Sequence, residues 1–466
     1  MQDQTTSLKD PNAANGESNA MPQAEGAGGA RVFIETYGCQ MNVADSELMG
    51  GILKKQGFTR AQSIEDADVV LINTCAVREK AEERVFGRLT QLLPYKTSNP
   101  DLVLGITGCM AEHLKDAIVE RAPYVDLVVG PDAYRRLPEL LRTQLQDETD
   151  PLIDVRLDKR ETYDGISPER GGGTNGWITV QRGCDKFCTF CIVPFTRGRE
   201  RGVPPDEILR QAAELGQQGY TEVTLLGQTV NSYRWEDWDF ADLLEELVKV
   251  DGIERIRFTS PYPIDFTDKL IATMATHDKI CKYLHLPVQS GSDVILKQMR
   301  RGYTRAEYDA LVHKIRAAMP QIAISTDIIV GFPGETQEDF EATMELVRTH
   351  RYDFSFLFKY SKRSGTYAAR NMADDIPEVV KSDRLSQVIA LQEALSAEIF
   401  ASRVGTTQTL MVEGPSRRDP NEWCGRTDDF KMTVFPKPAD LELKPGQLVR
   451  VRINANTSHT LRSVLI

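Results

Sequence analysis

The stretch Cys184-Asp185-Lys186-Phe187-Cys188-Thr189-Phe190-Cys191 decides how the rest of the chain is read. It spaces three cysteines as C-x3-C-x2-C, with an aromatic residue just before the last. Three thiolates so spaced converge on one small inorganic centre. A closed structural zinc or cluster site takes four ligands. Three ligands with no nearby fourth leave one metal position open for chemistry. A structural zinc loop borrowing a distant ligand, such as Cys281 or a histidine, is the competing reading, and the sequence on either side argues against it.

Working outward, the cysteine loop follows a strand, Trp177–Gln181, and further strands are expected at Glu222–Leu226, Ile256–Thr259, Tyr283–Pro287, Ala323–Val330 and Asp353–Tyr360. Helical patterns separate them, at Pro205–Gln217, Phe240–Val248, Thr304–Ala318 and Thr336–His350, and a long helix over about Ser382–Ser402 follows. Six βα units with the cysteines after the first strand predict a partial (β/α)6 TIM-like barrel. Its site lies at the C-terminal mouth of the strands. Polar residues at those strand ends are candidate cofactor contacts: Gln228 and Asn231 after the second strand, Gln289 and Ser290 after the fourth, and Asp327 on the fifth. Each competes with a role in local loop hydrogen bonding. His285, within the fourth strand, reads as core.

Upstream, the pattern alternates again. Strands are expected at 31–37, 68–73, 102–107 and 125–129, and helices at about 43–56, 78–93, 111–121 and 133–140. This is the signature of a parallel α/β sheet, which binds ligands beyond the carboxyl ends of its strands. Cys39, Cys75 and Cys109 stand just after the first three strands. Adjacent strands lie about 5 Å apart, so three consecutive loops bring three thiolates together. Gly38 and Gly108 permit close turns beside them.

Residues 155–173 are polar and end in Gly171-Gly172-Gly173, which reads as a linker. Beyond about residue 404 the pattern becomes short strands (408–412, 431–435, 447–453), fitting a small OB-like β-barrel. The expected domains are therefore 30–154, 174–403 and 404–466, behind a disordered tail, 1–29, with no signal-peptide pattern.

Composition sets the limits. At 466 residues and 41% hydrophobic the chain builds several cores. No apolar run reaches the roughly 18 residues of a membrane span. Eight cysteines without an export signal read as metal ligands or free thiols of a cytoplasmic protein. The net charge is −12, but residues 401–466 hold ten Lys/Arg against seven Asp/Glu, +3, leaving −15 on the other 400. This reversal points to a nucleic-acid contact in the last segment, one expected to be removable without loss of the barrel's chemistry. Arg182, Lys186, Arg197, Arg199 and Arg201 make the cysteine loop basic as well, and read as solvated surface.

Taken together, TYGCQMN (36–42), NTCAVREKAEERVFGRL (73–89), TGCMAE (107–112), QRGCDKFCTFCIVPFTRGRE (181–200), LLGQTVNSY (225–233) and HLPVQSGSD (285–293) resemble the methylthiotransferases of the radical S-adenosylmethionine (SAM) superfamily. Among these the match is closest to the tRNA-2-methylthio-N6-dimethylallyladenosine synthases. The resemblance covers about residues 31–466 and implies an N-terminal cluster domain, a radical-SAM barrel and a C-terminal TRAM domain. It implies two [4Fe-4S] clusters. Cys184, Cys188 and Cys191 would hold the catalytic one, whose free iron chelates SAM and whose electron yields a 5′-deoxyadenosyl radical. Cys39, Cys75 and Cys109 would hold an auxiliary cluster carrying the sulfur. The implied substrate is N6-isopentenyladenosine at position 37, in the tRNA anticodon loop, methylthiolated at C2. A low-potential donor such as a flavodoxin would supply electrons. Methylthiolation of threonylcarbamoyladenosine or of a ribosomal-protein aspartate is the alternative. The chain departs from the family pattern at Gly202-Val203, where a Ser-Arg pair is usual, and at Tyr262, where histidine is commoner.

Overall fold

The computed structural model describes residues 29–76, 79–146, 150–438 and 441–466. The expected tail and the start of the helix at Arg78 lie outside the described residues, save for Gly29.

The first unit runs β1 (Arg31–Tyr37), α1 (Gln40–Lys55), β2 (Thr59–Arg60), β3 (Val69–Thr74), α2 (Glu79–Ser98), β4 (Val103–Gly108), α3 (Cys109–Leu114), α4 (Asp116–Arg121), β5 (Leu127–Val129), α5 (Leu137–Gln144) and β6 (Leu152–Asp154). All strands pair in parallel, in the order β2-β1-β3-β4-β5-β6. β3 and β4 are wholly buried, as near-continuous apolar strands covered on both faces must be. Helices fill the two sides with separate apolar clusters, one around Met49, Leu71 and Tyr134, the other around Ile72, Leu89 and Ile106. The single helix expected over 111–121 is two, because Lys115 adopts φ +52° and breaks the ladder. The polar stretch 155–173 is no free tether: Tyr163 and Ile166 are buried in the first cluster, and the Tyr163 hydroxyl donates to the Pro131 carbonyl at 2.8 Å.

The second unit continues with β7 (Asn175–Thr179), β8 (Gln181–Arg182), α6 (Val193–Thr196), β9 (Arg201–Gly202), α7 (Pro205–Gln217), β10 (Glu222–Leu226), β11 (Arg234–Trp235), β12 (Trp238–Asp239), α8 (Phe240–Leu247), β13 (Arg255–Phe258), α9 (Asp268–Thr276), β14 (Tyr283–His285), α10 (Asp293–Gln298), α11 (Arg305–Ala318), β15 (Ala323–Val330), α12 (Gln337–His350), β16 (Phe354–Lys359), α13 (Tyr367–Asn371) and α14 (Glu378–Ser402). β7, β10 and β13 form one parallel set, and β14, β15 and β16 another. An Ile256–Ile280 bridge joins them into a six-stranded arc open between β7 and β16. The helices start where local chemistry dictates: Thr304 with Glu307 and Thr336 with Asp339 form capping boxes. The outer faces of the strands pack on the helices in one large core, and Met41 and Ala44 of α1 reach over to Trp177 and Leu226.

The third unit is a closed five-stranded barrel: β17 (Thr407–Pro415), β18 (Glu422–Thr427), β19 (Met432–Pro436), β20 (Leu448–Asn456) and β21 (Leu461–Leu465), ordered β17-β18-β19-β21-β20. Its β18–β19 turn plugs the N-terminal end of the arc. Phe430, at φ +65°, stacks on Tyr283 with centroids 4.7 Å apart. Arg257 donates to the carbonyls of Thr427 and Asp428, each at 3.0 Å.

Candidate functional site

The first three parallel strands end level with one another, so their loops meet. At Gly38, φ is +139° and an added Cβ would lie 2.9 Å from the Cys75 Cβ. Glycine is required for the loops to approach this closely. Cys39 caps α1 and Cys109 opens α3, so both thiols sit at helix N-termini. The fully buried carboxamides of Asn42 and Asn73 tie the first loop to β3 at 3.2 Å. A hydrogen bond from Cys75 draws the Cys39 thiol below its ordinary range, whereas burial pushes Cys109 up.

The barrel cysteines occupy the loop between β8 and α6. Gln181 organises it: its oxygen accepts from the Gln228 and Thr229 amides, and its nitrogen donates to the Gly183 carbonyl. Phe187 turns the chain at φ +47°, and the Thr189 hydroxyl fastens the loop to the Gln298 carbonyl at 2.9 Å. Burial pushes the Cys184 thiol up to about 11 and Cys191 to about 12. Both are thiols at neutral pH until a metal displaces the proton. Arg301, 5% exposed, donates to the Cys188 sulfur at 3.3 Å and lies against the rings of Tyr262 and Tyr303.

The two cysteine sets are joined by buried charge. Asp45 on α1 is fully buried and pairs with Arg182 at 2.9 Å and Arg197 at 2.6 Å. The Arg197 Nε donates to the Cys109 sulfur at 2.9 Å. Arg201 pairs with Asp132 at 2.9 Å, and Ile192, beside Cys191, packs on Ala76 and Cys109. Arg182, Arg197 and Arg201 are thus not the solvated surface that their charge suggests. They are 2, 3 and 8% exposed, because carboxylates from the first unit meet them. These arginines, with Asp45, Gln181 and Arg301, are what sequence reasoning missed.

No disulfide joins any of the eight cysteines. Among the described residues no three His, Cys, Asp or Glu side chains close on a single-ion site. In each trio the thiols still sense one another electrostatically: Cys109 feels Cys39, which is hydrogen-bonded to Cys75, and Cys191 feels both Cys184 and Cys188. Three thiols outside any disulfide and one buried arginine donor per trio suit an anionic iron–sulfur cluster.

Of the other candidates, the Gln228 oxygen accepts from the Gly183 amide at 2.5 Å, and Asn231 exchanges two hydrogen bonds with the Tyr262 backbone. Ser290 is buried against Thr343. Gln289, 7% exposed at φ +77°, has a buried side-chain oxygen with no partner among the described residues. Asp327 faces the lumen 3.4 Å from His285, which is half-buried there beside Phe356 rather than in the core. The two departures have structural reasons. A Cβ at Gly202 would lie 2.4 Å from the Arg234 carbonyl, and Val203 is core. Tyr262 donates to the Arg301 carbonyl.

A six-stranded βα arc with a three-cysteine loop after its first strand defines a radical-SAM protein, here with a cysteine-bearing α/β domain in front and a five-stranded barrel behind. The Radical SAM superfamily profile matches residues 178–347, uncharacterized protein family UPF0004 matches 31–130, and the TRAM domain matches 401–466. The chain belongs to the family of the tRNA-2-methylthio-N(6)-dimethylallyladenosine synthases. It is 46% identical to the protein of that name from Bordetella avium, over 98% of this chain and 96% of that one. It is likewise 46% identical to that of Porphyromonas gingivalis, over 92% and 94%. Among solved structures, the radical SAM methyltransferase TsrM from Kitasatospora setae superposes with a TM-score of 0.54 at 14% identity, covering 73% of this chain and 77% of that one. The cobalamin-dependent radical enzyme OxsB gives 0.52 at 14%, covering 78% and 56%. At such identities the likeness is one of fold.

Proposed function

We propose that this chain is the tRNA methylthiotransferase that converts N6-isopentenyladenosine at position 37 into its 2-methylthio derivative. The carrying observation is that the barrel's cysteine loop meets the strand ends that carry the N-terminal cysteines: Arg197 pairs with the buried Asp45 and donates to the Cys109 sulfur, and Ile192 packs on Ala76 and Cys109. One trio sits in a radical-SAM loop, and the near full-length relatives share that name. The cofactors are SAM and two [4Fe-4S] clusters, which when bound supply radical generation and the sulfur.

The protein's part is positional. Cys184, Cys188 and Cys191 hold the catalytic cluster, with Arg301 donating to the Cys188 thiolate. Cys39, Cys75 and Cys109 hold the auxiliary one, with the assignment resting on their shared strand ends. Gln289 and Asp327 offer polar atoms at the mouth for SAM. Gln228, Asn231 and Ser290 act through the loops that they brace. Phe354 and Phe356, with His285, give the lumen an apolar shelf suited to an adenine and its prenyl group; Phe356 is 42% exposed. The target base lies in the anticodon loop and must leave its stack to carry C2 into the lumen of the arc. Residues 30–154 form the auxiliary-cluster domain, 174–403 the radical-SAM domain and 404–466 an RNA-binding barrel. Among the described residues no helix is long and apolar enough to cross a membrane. The reaction is placed in the cytoplasm with its tRNA, with a flavodoxin-like electron donor.

The test is a nucleoside digest of total tRNA from a deletion strain. Loss of the 2-methylthio derivative with accumulation of isopentenyladenosine, reversed by the gene, is expected. An unchanged isopentenyladenosine pool with loss of methylthiolated threonylcarbamoyladenosine would reassign the substrate.

A further inference from the structure

Arg197 stands six residues after Cys191, in the barrel's own cysteine loop, yet its hydrogen bond goes to a sulfur of the other domain. Its geometry has three parts. The Nε points at Cys109 at 2.9 Å, the NH1 lies 2.6 Å from Asp45, and the side chain is 3% exposed. Asp45 already has Arg182 at 2.9 Å, so neutralising that carboxylate does not by itself require Arg197. Nor does Arg197 close the hydrophobic contact between the loops, which Ile192 supplies against Ala76 and Cys109. What Arg197 alone adds is an oriented, charge-assisted donor on a thiolate in a dry site. Hydrogen bonds to cluster sulfurs and the local net charge both set reduction potentials. A cluster gains negative charge on reduction, so a cationic donor on its sulfur stabilises the reduced state more than the oxidised one.

Resting on the reading of Cys39, Cys75 and Cys109 as cluster ligands, we infer that Arg197 is a positioning residue through which the radical-SAM domain raises the reduction potential of the auxiliary cluster. The donor is lent across the domain interface, so the auxiliary cluster reaches its working potential only when the two domains are docked. Asp45 opposes the effect: its charge tempers the field of Arg197 and of Arg182.

The experiment uses the full chain with Cys184, Cys188 and Cys191 replaced by Ala, reconstituted with iron and sulfide, so that only the auxiliary cluster remains. Iron content is measured first. If this chain holds no cluster, the reading of the N-terminal trio fails and the inference with it. If it holds one, its midpoint is followed by redox titration with electron paramagnetic resonance, alone and with Arg197→Met or Arg197→Lys. Arg197→Met removes both donor and charge and leaves Asp45 facing the sulfur. The expected result is a downward shift of at least tenfold in the reduction equilibrium, about 59 mV for one electron. Arg197→Lys keeps the charge and loses the planar donor, so a smaller downward shift is expected. An unchanged midpoint in Arg197→Met overturns the inference. If Arg197→Met does not retain its cluster, an unchanged midpoint in Arg197→Lys overturns it. Loss of the cluster from both variants in a folded chain assigns Arg197 a structural role and overturns it too.

Discussion

Replacing Arg257 with Met should loosen the docking of the C-terminal barrel on the radical-SAM arc. Arg257 is 5% exposed on the inner face of β13. Its Nε donates to Glu222 at 2.9 Å, and its two terminal nitrogens donate to the Asp428 and Thr427 carbonyls at 3.0 Å. Its guanidinium also lies 5.0 Å from the centre of the Phe430 ring, which stacks on Tyr283. Removing one partner of a buried ion pair costs about 3–5 kcal/mol. Arg255, 3.9 Å from Glu222, takes up part of the stranded charge and sets the expectation at the low end, about 3 kcal/mol. The turn 426–431 is also held by Arg255 on the Arg426 carbonyl, by the Lys282 amide on Asp428 and by Lys431 on Asp353, so about two orders of magnitude is the upper limit of the expected fall in hydrogen-exchange protection of its amides. The strands of the C-terminal barrel should keep theirs. Adding Glu222→Gln should recover part of the loss by removing the unpaired carboxylate. Protection of the turn within about threefold of the parent would refute the argument, since the loss then falls well below 3 kcal/mol. The same geometry corrects the expectation that the last segment is separable. Truncation at residue 403 would strip the arc of its floor, leaving Arg255, Arg257 and Tyr283 without the contacts that bury them. Surface substitutions are the cleaner route to its role.

Replacing Arg450 and Arg452, both exposed on β20, with Gln should weaken tRNA binding while sparing SAM cleavage. The slope of log affinity against log salt should shrink by about one per arginine, read by filter binding. Replacing Cys39, Cys75 and Cys109 with Ala should halve bound iron, leave 5′-deoxyadenosine formation largely intact and abolish the thiolated nucleoside. Replacing Cys184, Cys188 and Cys191 should abolish 5′-deoxyadenosine. Methylthio product at the wild-type rate from the N-terminal variant would refute the two-cluster assignment. Burial raises Glu112 from 4.5 to about 7, with one carboxylate oxygen unpartnered among the described residues. The native state therefore holds a proton that the unfolded chain releases. Stability should fall as pH rises from about 4.5 to 7, by about 3 kcal/mol at most. Glu112→Gln should flatten that dependence in urea unfolding at stepped pH.

The features legible in the chain alone are those whose physics is local. Cysteine spacing marks a candidate metal loop because three thiolates within eight residues can reach one centre wherever the loop lies. Thr304 with Glu307 and Thr336 with Asp339 announce helix starts because a capping box closes within one turn. Alternating apolar runs placed the six arc strands and Cys39, Cys75 and Cys109 at the ends of three parallel strands. The edge strands β2 and β6, two and three residues long, carry no such pattern, and exist only through pairing with β1 and β5. Charge was the least legible property. Arg182, Arg197 and Arg201 read as surface because an arginine's burial depends on its partner, and Asp45 lies 137 residues from Arg182 along the chain. The plug of Phe430 into the arc is of the same kind. Composition records that the last segment is basic, but the ring meeting Tyr283 is set by where the third domain docks. Short-range hydrogen bonding and periodicity are written in neighbouring residues. Ion pairs and stacking between distant segments acquire their energy only once the fold has brought the partners together and removed the water between them.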